Sequence, residues 1–221
     1  MFRSEIDATK IQEKRKVYKK SLADLESTRL RLAESWNSAQ ASGKKQILAE
    51  ARSRITTALV QDIFPAWYGT EWNFNGISQQ PGEGSIACGY FVTTTLRDAG
   101  FKLNRVKLAQ QPSQRIIKSL SNPEDVDILY QKTVSDVMKY IGESGPGIYI
   151  VGLDTHTGFV VHDGKNQAFV HSSYYRPPFS VTSEPIEGTN PLADSKYRVF
   201  GKILSDEMLR KWIAGEYFPL Q

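Results

Sequence analysis

The sequence predicts an α+β domain in which helices come first along the chain and an antiparallel sheet follows. Two observations support this fold class. Apolar residues recur with a helical period over the first 60 residues and again after residue 88, and beyond residue 147 the period changes to that of strands. The chain between residues 180 and 195 is rich in turn residues and is expected to be a long loop. The four β-rich segments are GIYIVGL (147–153), TGFVVHD (157–163), QAFVHSSY (167–174) and KYRVFGKI (196–203).

The first part of the chain is predicted to be helical and basic. Residues 1–60 carry 13 Lys and Arg against 7 Asp and Glu, whereas the remainder is slightly acidic. Apolar residues fall seven apart over residues ~5–38, which predicts one amphipathic helix, and a second helix is expected to run to Pro65. We therefore divide the chain into an N-terminal helical extension, 1–64, and a main domain, 65–221. The basic face is interpreted as a solvated surface, with weak contact to an anionic envelope surface as the alternative.

Composition excludes several classes of protein. The chain has 221 residues and a 40% hydrophobic content, which suffices for a substantial core. One cysteine allows neither an internal disulfide nor a cysteine-rich zinc site. No stretch approaches the ~20 apolar residues of a membrane-spanning helix, and the charged N-terminus lacks the apolar centre of a secretory signal. The basic segment has no alternating aromatic residues, so nucleic acid is not an expected partner. The oligomeric state is left open.

The single cysteine, Cys88, lies at the expected start of a helix. The segment GEGSIACGYFVTTTLRDAG gives it a glycine-rich approach and then an apolar helical face that ends at Gly100. Unpaired backbone N–H groups and the positive end of a helix dipole favour a thiolate, which predicts a lowered pKa for the thiol. Cys88 is therefore a candidate nucleophile, and its own backbone N–H is a candidate oxyanion donor. The alternative is a buried cysteine that serves as a small hydrophobic residue.

A thiol nucleophile needs a base, and strand geometry distinguishes the three histidines. A two-residue turn within DGKN (163–166) would pair residues whose numbers sum to 329. His156 and His171 then share one face of the sheet as diagonal neighbours, roughly 7 Å apart at Cβ, and Gly158 leaves space between them. His162 lies roughly 20 Å further along, beside the turn, and a structural role is expected. We predict that His156 is the base and that His171 orients it; a zinc site of two imidazoles and the thiolate is the alternative.

The order of these motifs resembles the NlpC-type branch of the papain-like cysteine peptidases. The resemblance rests on IACGYFV around Cys88, HTGFVVHDG from His156 and FVHSSY around His171, and it covers residues ~60–175. It implies a Cys/His/His triad, with the nucleophile helix packed on an antiparallel sheet. It also implies hydrolysis of amide bonds in bacterial peptidoglycan, hence a periplasmic or cell-envelope location. Tyr68 matches the family's upstream tyrosine by residue type, which implies a role in orienting the thiol or binding the oxyanion.

The predicted function is therefore a stem-peptide endopeptidase or amidase that requires no metal or organic cofactor. A peptidoglycan peptide, or another small peptide or amide, is the expected substrate. The alternatives are a thiol-dependent acyltransferase on the same fold, which would share the triad, and a non-catalytic binding module. The candidates for substrate contact are Trp67, Trp72 and Phe74 as an apolar wall and Arg97 and Arg105 as partners of a substrate carboxylate, although solvated arginines are the simpler interpretation.

Overall fold

A computed structural model describes residues 7–221 and confirms the α+β class. A six-stranded antiparallel sheet has the strand order β2-β7-β3-β4-β5-β6, and two short strands, β1 and β8, pair in parallel elsewhere. Residues 1–6, which include the start of the predicted first helix and of the predicted extension, lie outside the described residues. The strands are β1 (Lys102–Leu103), β2 (Val126–Tyr130), β3 (Gly147–Leu153), β4 (Thr157–His162), β5 (Gln167–Ser172), β6 (Val181–Pro185), β7 (Tyr197–Lys202) and β8 (Tyr217–Phe218).

Helices pack against both faces of the sheet, because alternate residues of the strand Gly147–Leu153 belong to two different buried clusters and each cluster contains helical residues. Helix α1 begins at Asp7, whose carboxylate accepts the backbone N–H groups of Thr9 and Lys10, as an N-cap should. A π-helical turn, Ala58–Ile63, joins α2 to α3, whose first turn tolerates Pro65 because that position needs no N–H donor. The helices are α1 (Ala8–Ser38), α2 (Ala41–Thr57), α3 (Phe64–Trp67), α4 (Cys88–Asp98), α5 (Arg105–Ala109), α6 (Ser113–Leu120), α7 (Val134–Ser144), α8 (Pro191–Asp194) and α9 (Asp206–Ala214).

The N-terminal helices share a hydrophobic core with the sheet. Leu25 and Leu32 of α1 and Ile55 of α2 belong to the same buried cluster as Phe91 of α4 and Phe159 of β4. This continuity explains why the apolar stripe of the first helix repeats every seven residues: each member faces the domain. In the part of the chain that the structure describes, no helix is both long enough and apolar enough to cross a membrane.

The β4–β5 hairpin has the predicted register. Phe159 pairs with Val170 and His162 with Gln167, so the paired numbers sum to 329. Asp163 holds the turn, because its carboxylate accepts the backbone N–H groups of Lys165 and Asn166. The turn chemistry of DGKN therefore fixed which face of the sheet each histidine occupies.

Two sequence predictions about local structure were wrong. The helical period expected between residues 88 and 147 is interrupted by β2, Val126–Tyr130, because this segment pairs with β7. The next helix begins at Val134, after its Thr133 N-cap. The loop expected over residues 180–195 contains β6 and α8. Strand β6 forms there because Val181–Pro185 pairs with β5 along its whole length.

Candidate active site

Helix α4 packs against β4 and β5 and places Cys88 in the same cleft as His156, the residue that precedes β4. Ala87 precedes it in an extended conformation, without a side-chain cap, so the first N–H groups of the helix stay available. Gly89 permits a close approach of α5, since a Cβ at this position would lie 2.6 Å from the carbonyl oxygen of Ala109. Cys88 itself is partly exposed. The predicted helix-start position of the thiol is therefore what the structure shows.

The environment of the Cys88 thiol favours its neutral form. Burial raises the pKa of Cys88, and the backbone N–H groups of Thr157, Gly89 and Cys88 itself lower it by less. The expectation of a lowered thiol pKa was wrong, because desolvation of the thiolate outweighs the helix-start donors. A nucleophilic role for Cys88 therefore requires a base that removes its proton during the reaction.

His156, His171 and Glu184 form a buried hydrogen-bonded chain. His156 Nε2 lies 2.8 Å from His171 Nδ1, and His171 Nε2 lies 2.9 Å from Glu184 Oε1. All three side chains are at most 5% exposed. His171 also stacks on the ring of Phe169, with 4.0 Å between the ring centroids. The second carboxylate oxygen of Glu184 lies 3.5 Å from Nη2 of Arg176.

This chain of contacts assigns a tautomer to each imidazole. An ionised carboxylate only accepts, so with Glu184 ionised His171 Nε2 must carry a proton and donate it. Neutral His171 then accepts at Nδ1 from the Nε2–H of His156. The remaining ring nitrogen, His156 Nδ1, is left with a lone pair. The arrangement therefore presents Nδ1 of His156 as the basic atom.

The position of His156 is compatible with a role as the base for the Cys88 thiol. Its Nδ1 is buried and has no hydrogen-bond partner, and His156 lines the same cleft as Cys88. Burial, and secondly the neighbouring His171, lower the pKa of His156 well below its ordinary value, so the ring is neutral at pH 7. The Cys88 thiol donates no hydrogen bond to Nδ1 in this structure; such contacts commonly tighten only with substrate bound.

Strand register explains how two histidines from different strands meet. His171 follows Val170, the partner of Phe159, so Gly158 lies opposite His171. A Cβ on Gly158 would lie 2.7 Å from the Cβ of His171 and 2.8 Å from the ring of Phe169. The predicted sharing of one face is confirmed, but the space beside Gly158 is filled by these side chains rather than open.

Glu184 was missed by sequence reasoning because its segment was predicted to be a loop. On β6 its neighbour Thr182 pairs with His171, and Glu184 itself pairs with Phe169. Side chains two positions apart on a strand lie on the same face of the sheet, so the Glu184 side chain lies on the face that carries those of Thr182 and His171. The signal available in the sequence was the β-branched pair Val181 and Thr182 within SVTSEP, which favours a strand.

Two of the three predicted wall residues line the cleft. Trp72 and Phe74 lie beside Cys88 and His156, together with Tyr174, whose ring packs against that of Trp72 with 5.5 Å between centroids. The segment that carries Trp72 is attached to the sheet region through its backbone N–H, which donates to the carbonyl of Phe179.

Trp67 and Tyr68 lie elsewhere. Trp67 is 0% exposed, and its Nε1–H donates to Tyr18 Oη on α1, so its predicted place in the substrate wall was wrong. Tyr68 does not line the cleft; its hydroxyl is hydrogen-bonded to Ser183, and burial raises its pKa. The orienting role implied for Tyr68 is therefore not supported by its position.

Arg97 and Arg105 also lie outside the cleft lining. Arg97 is held by Asp98 and by Gln79. Arg105 is buried and donates to the Thr94 hydroxyl and to two backbone carbonyls of the loop before α4. Both guanidinium groups are engaged in holding α4 and its approach, so the predicted contact with a substrate carboxylate is corrected.

The remaining histidine, His162, is buried beside the hairpin turn, where its Nδ1 accepts the backbone N–H of Gly164 at 3.4 Å.

Among residues 7–221 no group of three or more His, Cys, Asp or Glu side chains is arranged to hold a metal ion. The facing nitrogens of His156 and His171 are joined by a hydrogen bond to each other rather than turned toward a common ion. Comparison with protein-family models, curated proteins and solved structures finds no match to this chain.

Proposed function

We propose that this protein is a cysteine hydrolase of amide bonds, with Cys88 as nucleophile and His156 as general base. The observation that carries the proposal is the hydrogen-bonded chain from Glu184 through His171, which leaves Nδ1 of His156 as a buried lone pair in the cleft that Cys88 lines. A nucleophile, a base and a group that fixes the tautomer of the base are the minimum for covalent acyl transfer.

In the first half-reaction the proton of the Cys88 thiol moves to His156 Nδ1, and the sulfur attacks the substrate carbonyl carbon. The C=O electron pair moves to oxygen, for which the backbone N–H of Cys88, at the start of α4, is the candidate donor. Collapse of the tetrahedral intermediate breaks the C–N bond, and the leaving nitrogen takes the proton from Nδ1. A thioester on Cys88 and a free amine result.

In the second half-reaction water gives a proton to His156 Nδ1 and attacks the thioester carbonyl. The C–S bond then breaks, and the proton returns from Nδ1 to the sulfur. Throughout, His171 and Glu184 hold the His156 ring, and the Glu184 charge stabilises the transient imidazolium. The neutral resting state of both partners fits this order of events, because proton transfer accompanies attack rather than preceding it.

The NlpC-type, papain-like assignment and the peptidoglycan substrate belong to the same proposal. Their support is the order of Cys88 on a helix and His156 and His171 on successive antiparallel strands, with α4 packed against β4 and β5. On this reading Glu184 joins the two histidines as a fourth member of the site. A cell-envelope location follows only if the wall substrate is correct.

The test uses wild-type protein, Cys88→Ala, His156→Ala and, as a matched histidine control, His162→Ala. Each is incubated with purified peptidoglycan, and the released muropeptides are identified by mass spectrometry. Each is also given p-nitrophenyl acetate, with acetylation of Cys88 followed by intact mass. Wild type and His162→Ala should release muropeptides with a newly exposed carboxylate and should turn over the ester; the other two should do neither.

The two readouts separate chemistry from substrate. Ester turnover that depends on Cys88 and His156, with intact peptidoglycan, would support the thiol mechanism and eliminate the wall substrate. Turnover by Cys88→Ala equal to that of wild type would eliminate the mechanism itself. A product that carries an added amine in place of water would identify an acyltransferase.

A further inference from the structure

The cleft at Cys88 has two lobes that meet at the thiol. We call the larger, a cavity of about 860 Å³, the aromatic lobe; its distinctive lining residues are Trp72, Phe74, Ile77, Tyr90 and Tyr174. The smaller, of about 430 Å³, is called the polar lobe; the residues that line only this lobe are the polar Ser113, Gln114, Asp154, Thr157 and Tyr197 and the apolar Ile116 and Leu153. Cys88 and His156 line both lobes, so a substrate whose carbonyl reaches the thiol extends into one or both.

The aromatic lobe contains no Asp, Glu, Lys or Arg among the described residues that line it. Phe74 is 81% exposed and Ile77 is 60% exposed, so two large apolar side chains face water at its rim. An exposed apolar patch beside a nucleophile is stabilised when a ligand removes it from water. The surface of this lobe is therefore suited to an apolar group and offers no counter-charge to an ionised one.

The guanidinium group of Arg105, which lies over a ring that lines this lobe, already has hydrogen-bond partners. Arg105 lies over the ring of Tyr90, 4.7 Å from its centroid, and donates to Thr94 and to the backbone carbonyls of Ile77 and Ser78. Its N–H groups are thus engaged in holding the wall of the lobe. A carboxylate placed inside would lose water without gaining this guanidinium as a partner, which is unfavourable.

The polar lobe differs because it contains a carboxylate, that of Asp154, beside uncharged hydrogen-bonding groups. The carboxylate of Asp154 already accepts the Ser195 hydroxyl and the backbone N–H groups of Lys196 and Tyr197. Ser113 and Gln114 add a hydroxyl and an amide. This side of the thiol therefore offers hydrogen bonds to a polar group and disfavours a substrate carboxylate, which the Asp154 charge would repel.

We propose that the substrate is an amide that places an uncharged, extended apolar group in the aromatic lobe and a polar group without negative charge in the polar lobe. The inference rests on the proposed function, because it assumes that the substrate carbonyl reaches Cys88. It narrows the substrate class: a peptide or acyl amide with a carboxylate at the position that enters the aromatic lobe is disfavoured.

The test measures alkylation of Cys88, so it needs no natural substrate. The probes are N-hexyl-2-iodoacetamide and N-(5-carboxypentyl)-2-iodoacetamide, which differ by a terminal carboxylate, and iodoacetamide as the tail-free reference. In each case sulfur displaces iodide, a C–S bond forms and the thiol proton is released. Rate constants at pH 8.5 are read from intact mass spectra. We expect the hexyl reagent to react at least ~10-fold faster than the carboxypentyl reagent, because only the apolar tail gains from burial.

A positive charge introduced at the rim should weaken this preference. In Ile77→Lys we expect the hexyl-to-carboxypentyl rate ratio to fall at least ~5-fold, since the new ammonium provides the missing partner. Ile128→Lys is the matched control: Ile128 is an apolar residue of similar exposure, 53%, on the outer strand β2, and its ratio should equal that of wild type. Phe74→Lys is the second rim variant if Ile77→Lys does not fold.

The outcomes separate this inference from the proposed function. A ratio near one in wild type, with Cys88 still alkylated, would overturn the aromatic-lobe preference and leave the thiol mechanism in place. A ratio that stays high in both rim variants would locate the preference elsewhere and also overturn the inference. Folded protein whose Cys88 resists all three reagents, even at pH 9, would overturn both, because the cleft would not admit a ligand to the thiol.

Discussion

Replacement of Glu184 by Gln tests the least expected member of the site. Gln keeps the size of Glu and an oxygen that can accept from His171 Nε2, but it removes the negative charge. Glu184→Gln therefore preserves the packing of a residue that is 5% exposed and changes mainly the electrostatics of the chain. The same substitution at Glu187, an exposed residue of the following loop, is the matched control.

The expected magnitude follows from the geometry. Hydrogen bonds of 2.8 and 2.9 Å, with the His171 ring between them, put the Glu184 charge on the order of 8 Å from the His156 ring. At an effective dielectric constant of about 20, an imidazolium at His156 gains about 2 kcal/mol from that charge. Loss of this stabilisation corresponds to roughly a 30-fold lower rate of proton-coupled attack. Arg176 lies 3.5 Å from Glu184 and partly offsets its negative charge, so this 30-fold effect is an upper value.

The assay is kcat/KM for p-nitrophenyl acetate between pH 6 and 9, with circular dichroism to verify folding. Glu184→Gln should lose between ~5- and ~30-fold at every pH at which wild type is active, and Glu187→Gln should match wild type. An unchanged kcat/KM in folded Glu184→Gln would show that the carboxylate contributes no charge stabilisation, and the relay from Glu184 to His156 would then be incorrect.

Three further predictions concern the histidines and the N-terminal helices. The pKa of His156 is lowered in the folded protein, so below about pH 6.5 the unfolded chain binds a proton that the folded chain does not. The free energy of unfolding should therefore fall on acidification, by up to about 1.4 kcal/mol per pH unit from this group. Urea titrations at several pH values should show that this fall with pH is smaller in His156→Gln. Ester turnover should rank His162→Ala near wild type, then His171→Asn, then His171→Ala, then His156→Ala; a His162→Ala variant as inactive as His156→Ala would contradict the assigned roles. Leu32→Ala should lower the free energy of unfolding by about 2–5 kcal/mol, because Leu32 is 1% exposed within the shared core, whereas the exposed Leu30→Ala should change it by under about 1 kcal/mol.

The sequence by itself determined the parts of this protein that depend on local chemistry. The change from helical to strand period gave the α+β class. The glycine-rich approach placed Cys88 at a helix start, and the DGKN turn gave a hairpin register that the structure reproduces. These features are local because a cap, a turn and a two-residue alternation depend on residues close together in the chain.

Only the tertiary structure decided what those parts meet. Pairing of β6 with β5 brings Glu184 to His171, and no local sequence pattern indicates which strand will pair with β5 at the end of the sheet. Trp67 and Trp72 were both predicted to form the substrate wall, yet one is buried against Tyr18 of α1 and the other lines the cleft. The pKa of Cys88 also depends on tertiary structure, because desolvation of the thiolate is caused by all the groups packed around it. The position of Cys88 at a helix start therefore could not predict the direction in which its pKa shifts.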